Sequence, residues 1–203
     1  MARAIDVLAP GTERLYTPGD SLDWSQPLIF TVEDVLAPGE CEEMIARIDA
    51  LGPTAAPITT HRGFVMRPDI RNNRRVMFDD PDLAAELYRR VHDALPDPLH
   101  ARRAVGVNER FRCYRYDPGE RFAPHFDGAF RRDAHEVSEL TFMVYLNDAF
   151  TGGHTLFHDL GVDVAPRPGL ALFFQHRLLH EGCVVTTGTK YALRTDVMYR
   201  RPD

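Results

Sequence analysis

The sequence predicts a mainly β domain with flanking helices (α+β), in which a barrel or jelly roll carries helical support on one face. Two observations predict this class. From residue 105 onward, strand-like runs alternate with turns rich in Gly, Pro, Asn and Asp, whereas the preceding half contains two amphipathic helical patterns. The 203 residues suit a single domain, although two small ones would also fit. We divide it into an N-terminal part (1–104) and a jelly-roll core (105–203).

The composition favours a globular protein that folds without cross-links. Its hydrophobic fraction of 44% and charged fraction of 27% are ordinary, and the net charge of −6 does not favour nucleic acid as a partner. Cys41, Cys113 and Cys183 form no CxxC pair, which argues against a disulfide framework and a zinc ribbon. We expect a reducing, cytoplasmic setting. No signal-peptide pattern or long apolar run is present, so no membrane partner is expected.

The N-terminal part is predicted to contain an arm, one strand and two helices. Residues 1–27 read as an irregular arm anchored by Trp24, and 27–32 as a strand. A helical pattern within 40–51 ends at Gly52. A second helix starts at the N-cap Asp80 and repeats Leu83, Leu87, Val91 and Leu95 before Pro96 ends it. We expect both helices to cover the outer face of a sheet.

The segment between the helices, roughly 53–75, is a basic loop. Two interpretations remain open: a solvated surface loop, or a lid that recognises an anionic or peptide substrate. Its arginines are Arg62, Arg67, Arg71, Arg74 and Arg75.

The core is predicted to contain eight short strands, whose alternate residues share a face. On the last strand, Lys190, Arg194 and Asp196 face one way, and Leu193, Val197 and Tyr199 face the other. Thr141 and Met143 likewise lie opposite Leu140 and Phe142. Two cations on one face of an apolar strand are explained by a pocket that binds a carboxylate. The predicted strands are 107–116, 121–127, 139–147, 155–158, 162–165, 170–175, 183–186 and 190–200.

Three residues in this core are candidate metal ligands. His125 and Asp127 are one residue apart and therefore share a face of an extended segment, and His180 follows with Lys190 ten residues later. Two imidazoles and one carboxylate form the facial triad of non-haem Fe(II) sites. His154 and His158 have helical spacing in a β-rich context and no glutamate follows His154, so the zincin motif is absent.

These motifs resemble the prolyl 4-hydroxylase-like branch of the Fe(II)- and 2-oxoglutarate-dependent dioxygenases. The matching segments follow in the right order over about 110–200: 116–127, 140–147, 152–157, 168–174, 180–182 and 190–191. The resemblance implies a double-stranded β-helix, a cupin-like jelly roll, with 105–203 as its catalytic core. It also implies Fe(II), 2-oxoglutarate and O2 as cofactor and co-substrates, with ascorbate as an optional reductant.

Carried over residue by residue, the resemblance makes His125, Asp127 and His180 the iron ligands and the catalytic centre. Lys190 would bind the distal carboxylate of 2-oxoglutarate, and Tyr116 and Thr141 match positions that contact the co-substrate. The sequence also departs from the family pattern. His154 replaces an acid in the Gly-Gly-Glu-Thr motif, and Tyr114 competes with Tyr116 for the co-substrate. Arg194 adds a second cation on the Lys190 face, and it is an alternative to Lys190 as the partner of the distal carboxylate.

The predicted function is hydroxylation of a C–H bond in a prolyl, peptidyl or small-molecule substrate, with release of succinate and CO2. Arg71, Arg74 and Arg131 are predicted to contact that substrate from the loops at 62–75 and 128–138. Two other classes remain open: a cupin-like metal-binding or sensor protein without turnover, and a Zn-dependent hydrolase on the same triad. A nucleic-acid repair dioxygenase is a weaker variant because of the acidic net charge. The oligomeric state is left unassigned.

Overall fold

The computed structural model describes residues 4–6, 22–60 and 63–202. Most of the predicted arm, and Arg62 of the basic loop, therefore lie outside the described residues. Trp24 lies within them, and it is partly buried against the apolar core between the two sheets. In the described part of the chain, no helix is long and apolar enough to span a membrane.

Strands dominate the structure, as predicted. The helices are α1 (Pro38–Leu51) and α2 (Pro81–Val91), with 3-10 turns at His92–Ala94 and His158–Leu160. The strands of the N-terminal part are β1 (Ala4–Asp6), β2 (Ile29–Val32), β3 (Thr54–Ala55), β4 (Ile58–Thr60), β5 (Gly63–Val65), β6 (Arg74–Asp79) and β7 (Arg103–Val107). The strands of the core are β8 (Arg110–Tyr116), β9 (Phe122–His125), β10 (Glu136–Tyr145), β11 (Phe150–Gly152), β12 (Thr155–Phe157), β13 (Val162–Val164), β14 (Ala171–Gln175), β15 (His180–Gly182), β16 (Val185–Gly188) and β17 (Lys190–Arg200).

Two antiparallel sheets form the predicted jelly roll. The large sheet has the order β1-β2-β14-β10-β17-β8-β6-β3, with β7 also paired to β17. The small sheet has the order β13-β12-β15-β9. Most neighbours in these orders are far apart in sequence, the consecutive pairs β1-β2 and β12-β13 excepted, so the chain crosses repeatedly between the sheets. Residues from both sheets line one cavity. Strands β9 and β15, which carry His125 and His180, therefore face β17 and β8 across this cavity.

The two helices cover the outer face of the large sheet, as predicted. Cys41, Met44 and Ile48 of α1, and Ala84, Leu87 and Val91 of α2, are buried in one apolar core with the odd-numbered face of β17. The N-cap prediction at Asp80 is also confirmed, since its side chain accepts a hydrogen bond from the Leu83 amide at 3.1 Å.

The second helix ends earlier than predicted. Helix α2 stops at Val91 and gives way to a 3-10 turn, and Leu95 is extended (φ −76°, ψ 139°) although its side chain is buried. The cause is Pro96, whose ring disfavours helical geometry at the preceding residue. The spacing of apolar residues therefore correctly predicted the burial of Leu95 but not its backbone conformation.

Strand β17 confirms the predicted bounds and face assignment, but the structure contains strands that the sequence did not reveal. The predicted strand 107–116 is two strands separated at 108–109. Strand β6 occupies the end of the predicted basic loop, because Val76 and Phe78 pack against the apolar core while Arg75 lines the cavity. Strand β15 was also missed, since only three residues are extended there.

The aromatic stack at the centre of the large sheet generates a stability prediction. Phe173 stacks on Phe30 at 4.9 Å and on Phe142 at 4.4 Å between ring centroids, and all three are buried. We expect Phe173→Ala to lower the free energy of unfolding by about 3–5 kcal/mol, because the cavity left behind adds to the lost burial. Urea unfolding measures this change. The control Phe64→Ala, at a side chain 70% exposed, should change it by about 0.5 kcal/mol or less; equal effects would contradict the packing described.

Candidate metal centre and its cavity

Three candidate ligands meet where the small sheet faces the large one. His125 on β9 and His180 on β15 are directly paired across the two strands, and Asp127 follows β9. One ligand atom from each lies within 4.8 Å of the others. Asp127 Oδ1 lies 3.8 Å from His125 Nε2, and Asp127 Oδ2 lies 3.7 Å from His180 Nε2. It is the only such group of His, Cys, Asp and Glu among the described residues.

Hydrogen bonds orient both histidine rings for metal binding. His125 Nδ1 lies 2.8 Å from the Ala123 carbonyl and His180 Nδ1 lies 3.0 Å from the Leu178 carbonyl. Because a carbonyl can only accept, each Nδ1 carries the proton and each Nε2 lone pair is available to a cation. Burial also lowers the pKa of His125 to about 3 and lowers that of His180, so both rings are neutral at physiological pH.

A chain of hydrogen bonds holds the Asp127 carboxylate. Thr141 Oγ1 donates to Asp127 Oδ2 at 2.7 Å. His176 Nδ1 lies 3.1 Å from that hydroxyl, and Ser138 Oγ lies 2.8 Å from His176 Nε2. The Thr141 proton is used by Asp127, so His176 donates through Nδ1 and accepts from Ser138 through Nε2. His176 therefore acts on the candidate ligand Asp127 through the Thr141 hydroxyl.

Arg194 is the cation nearest to the candidate ligands. Its Nη2 lies 3.1 Å from Asp127 Oδ2 and 3.1 Å from Asp196 Oδ1. Burial raises the pKa of Asp127, but the charge of Arg194, together with the electrostatic contributions of His180 and His125, outweighs this effect and holds that pKa below its ordinary value. The carboxylate is therefore ionised, which is the form that binds a divalent cation.

Lys190 lies in a different part of the same cavity. It is 3% exposed, and its Nζ is 5.3 Å from the ring centroids of both Tyr116 and Tyr145. Its ammonium donates to the Gly153 carbonyl. A Cβ on Gly153 would lie 3.2 Å from Lys190 Cδ, and its φ of +66° also favours glycine. No carboxylate pairs with Lys190 among the described residues, and burial lowers its pKa to about 8.

The cavity between the sheets has a volume of about 430 Å³, within the usual range for small-molecule sites. The candidate ligands, Lys190, Arg194, Tyr116 and Thr141 all line it, and Tyr114 does so beside Tyr116. Ile58, Thr59 and Ile70 from the predicted lid, and Gly128 and Ala129 from the second loop, complete the wall. Side chains from both sheets and from two loops thus line one cavity.

The predicted substrate arginines do not all reach this cavity. Arg71 lines it and is 4% exposed. Arg74 is outside the lining and lies near Asp117 and Glu120, at 3.6 and 3.9 Å, and Arg131 is also outside the lining and exposed. Both arginines therefore lie outside the cavity lining, and their contact with a substrate stays a prediction. Adjacent strand residues point to opposite faces, so Arg75, not Arg74, enters the cavity.

Arg112 is a further cavity residue that the sequence did not single out. It lies opposite Arg194 in the pairing of β8 with β17, a contact that strand alternation alone does not specify. His154, the residue that departs from the family pattern, lies outside the cavity lining with Nδ1 3.1 Å from Asp163. Its position therefore gives it no contact with the candidate ligands.

Comparisons with known proteins agree with this geometry. The family model described as the 2OG-Fe(II) oxygenase superfamily matches residues 111–195. Prolyl 4-hydroxylase subunit alpha-1 of Rattus norvegicus is 23% identical over 192 residues, covering 83% of this chain and 34% of that protein. Probable prolyl 4-hydroxylase 11 of Arabidopsis thaliana is 38% identical over 73 residues, covering 32% of this chain and 24% of that protein. The chain spans about a third or less of the length of these relatives.

Solved structures share the fold. The viral collagen prolyl hydroxylase of Paramecium Bursaria Chlorella virus-1, solved as a 2OG complex, aligns with a TM-score of 0.65 at 21% identity, covering 86% of this chain and 97% of that one. A prolyl-4-hydroxylase of Pseudomonas putida aligns with a TM-score of 0.60 at 20% identity, covering 87% of this chain and 94% of that one. The predicted jelly roll is thereby confirmed.

The Asp127 hydrogen bonds generate a prediction about metal binding. We expect Thr141→Val to weaken Mn(II) binding about 10- to 100-fold, because the carboxylate loses the donor that orients it. Calorimetric titration of the purified protein measures the affinity. Thr141→Ser, which keeps the hydroxyl, should restore most of it. Unchanged Mn(II) affinity in the valine variant would show that the hydroxyl does not position Asp127.

Proposed function

We propose that this protein is an Fe(II)- and 2-oxoglutarate-dependent hydroxylase, because the model of the 2OG-Fe(II) oxygenase superfamily matches residues 111–195 and the chain is similar to prolyl 4-hydroxylases. The observation that carries the proposal is the pairing of two sites in one cavity. One is the neutral, oriented imidazole pair with an ionised carboxylate, and the other is the buried Lys190 ammonium without a carboxylate partner.

The three donors fit Fe(II). Two imidazole nitrogens and one carboxylate oxygen are the ligand set of non-haem Fe(II) oxygenases, and such a set leaves coordination positions open. The Ala123 and Leu178 carbonyls fix the ring tautomers so that both Nε2 lone pairs would be available to the ion, and Thr141 with Arg194 would hold the carboxylate. When bound, Fe(II) would supply the redox chemistry by which R–H, O2 and 2-oxoglutarate are converted into R–OH, succinate and CO2.

Lys190 is the residue that we assign to the distal carboxylate of 2-oxoglutarate. A buried ammonium is costly unless an anion or several acceptors balance it, and among the described residues Lys190 donates only to the Gly153 carbonyl. Arg194 is already balanced by Asp127 and Asp196, although its Nε has no hydrogen-bond partner. Tyr116, beside Lys190, is placed to contact the co-substrate, while Thr141 acts on Asp127.

The remaining wall positions the substrate and limits access of water. Phe122 stacks on the His125 ring at 3.5 Å, and Phe174 lies against His180 with centroids 4.5 Å apart. These rings restrict the orientation of the ligands, and Ile70 and Arg71 line the same cavity, where the substrate would bind. We propose a prolyl, peptidyl or small-molecule substrate, whose C–H bond is held there while the chain itself supplies only orientation and charge.

If the same three ligands held zinc in a hydrolase, the buried Lys190 ammonium would have no function in the reaction. Metal-activated water needs no second anion receptor, whereas 2-oxoglutarate carries a carboxylate that does. Ascorbate dependence and a cytoplasmic location stay predictions from the sequence.

The decisive test is anaerobic addition of 2-oxoglutarate to the Fe(II)-loaded protein, followed by admission of O2. We expect a visible charge-transfer band from the 2-oxo acid on Fe(II), and slow succinate formation that a true substrate accelerates. The band should be lost in His180→Ala because one ligand is removed. A folded, iron-loaded protein that gives neither band nor succinate would refute the proposed function.

The lowered pKa of Lys190 generates a pH prediction. The ammonium is charged below about pH 8 and is lost as pH rises through that value, so 2-oxoglutarate affinity should be constant at neutral pH. Above the pKa it should fall by up to about tenfold per pH unit, until the bound anion's own stabilisation of the ammonium takes effect. Calorimetry with the Mn(II)-loaded protein between about pH 6.5 and 9.5 measures this profile.

Two variants separate Lys190 from other titrating groups. Lys190→Arg keeps its charge over this range, so the fall in affinity should disappear. Lys190→Met should weaken binding at neutral pH by an amount corresponding to about 1.5–3 kcal/mol. A pH profile that is the same in native protein and Lys190→Arg would contradict the assignment.

A further inference from the structure

The cavity carries more positive charge than iron and 2-oxoglutarate require. Of the described residues that line it, five are arginine or lysine and one is a carboxylate. The carboxylate is Asp127, and the cations are Arg71, Arg75, Arg112, Lys190 and Arg194. With Asp127 committed to the metal, the wall has a cation excess that a further anion would balance.

Three of the five cations have defined partners. Lys190 is assigned above to 2-oxoglutarate. Arg194 contacts Asp127 and Asp196, and Arg112 Nη1 lies 3.2 Å from the second oxygen of Asp196, which is 1% exposed. Arg71 and Arg75 are left without a carboxylate partner among the described residues. They come from the segment between the two helices, for which the sequence left two interpretations open: a solvated surface loop, or a lid that recognises an anionic or peptide substrate.

Arg71 is held rigidly with one end of its guanidinium unused. Its Nε donates to Asn73 Oδ1 at 2.7 Å, and its Cζ lies 4.3 Å from the Phe122 ring centroid and 4.8 Å from that of Tyr114. These contacts fix the plane of the group. Its Nη2 is buried and has no hydrogen-bond partner in the part of the chain that the structure describes. A fixed guanidinium with free N–H groups is suited to bind an oxyanion.

Arg75 lies beside this group on the cavity face of β6. Its Cα partner on β8 is Tyr114, whose ring the Arg71 guanidinium covers. The side chain is partly buried and forms no hydrogen bond or ion pair with the described residues. Burial lowers the pKa of Arg75, and the guanidiniums of Arg71 and Arg112 contribute to that lowering. The two arginines therefore share a region of positive potential.

We propose that Arg71 and Arg75 bind a carboxylate or phosphate group of the substrate. The proposal deepens the proposed function and rests on it for the reaction. One ring, Phe122, contacts both Arg71 and the candidate ligand His125. The anionic group of the substrate therefore lies only a few bonds from the carbon that is hydroxylated. This geometry fits a compact acidic small molecule or an acidic chain end, and not an uncharged interior stretch of a peptide.

The test measures anion binding after the co-substrate position is filled. The protein is loaded with Mn(II) and saturated with N-oxalylglycine, an unreactive analogue of 2-oxoglutarate, and is then titrated calorimetrically with benzoate or with inorganic phosphate. We expect at least one of the two to bind, and the stronger one identifies the class of oxyanion. Arg75→Gln should weaken that binding at least tenfold, and Arg75→Lys should weaken it less.

Arg74→Gln is the matched control, because Arg74 is the neighbouring residue on the opposite face of β6 and is outside the cavity lining. It should leave anion affinity within about twofold of native, since an exposed charge contributes little. Unchanged N-oxalylglycine affinity in Arg75→Gln shows that this variant is folded. The proposal is overturned if neither benzoate nor phosphate binds the native complex. It is also overturned if the Arg75→Gln and Arg74→Gln variants bind the anion with equal affinity.

The two proposals can fail separately. If N-oxalylglycine does not bind the Mn(II)-loaded protein, the proposed function is contradicted. The arginine site is then tested by the same titrations in Lys190→Met, where the other unpaired cation is removed. Arg75-dependent binding of benzoate or phosphate in that background supports the oxyanion site independently, and its absence overturns it.

Discussion

The Asp127 carboxylate is the contact on which the rest of the cavity depends. It follows a strand of the small sheet, yet its hydrogen-bond donor Thr141 and its ion-pair partner Arg194 belong to the large sheet. A buried carboxylate is tolerated only when donors and cations compensate its lost hydration. The groups that compensate Asp127 therefore also join the two sheets at the metal centre. Removing Thr141 or Arg194 would therefore affect both the position of the Asp127 carboxylate and the packing of the two sheets against each other.

The alternation of side chains along β17 explains how one strand serves both core and site. Leu193, Val197 and Tyr199 belong to the apolar core beneath the helices, while Lys190 and Arg194 line the cavity on the other face. The two cations are four residues apart, which corresponds to about 13 Å along an extended strand. This separation allows one cation to fix the metal ligand and the other to meet the far end of a dicarboxylate.

Much of the site could be predicted because the sequence patterns that indicate it lie within single segments of the chain. His125 and Asp127 share one extended segment, and Lys190 and Arg194 share one strand, so period-two alternation and a strong family motif placed them correctly in the cavity. The task of Thr141 could not be predicted in this way. Its hydroxyl was expected to bind the co-substrate, but the structure directs it to Asp127, through a contact between sheets that alternation does not encode.

The substrate arginines show the limit of the same reasoning. In a strand, a register error of one residue exchanges the two faces, and Arg74 and Arg75 are adjacent. In β6, Val76 and Phe78 alternate with Arg75 and Met77. Because the segment is rich in arginine, this alternation did not lead us to predict a strand. Only the pairing of β6 with β8 distinguishes the arginine that lines the cavity from the one near Asp117.

The division of charge within the cavity relates the two proposals. A metal bound by three donors, with Lys190 on one side and the Arg71–Arg75 pair near Phe122 on another, provides two separate positions for oxyanions. In the proposed reaction, one position would bind the co-substrate and the other the substrate. Arg194 lines the same cavity, but its charge is balanced by Asp127 and Asp196.

A crystal structure of the protein with Mn(II) and 2-oxoglutarate tests this account most directly. The account predicts that the 2-oxo acid end meets the metal at His125, Asp127 and His180, and that the distal carboxylate accepts a hydrogen bond from Lys190 Nζ. Arg71 and Arg75 would then remain free. A distal carboxylate on Arg194, or on Arg71 and Arg75, would contradict it.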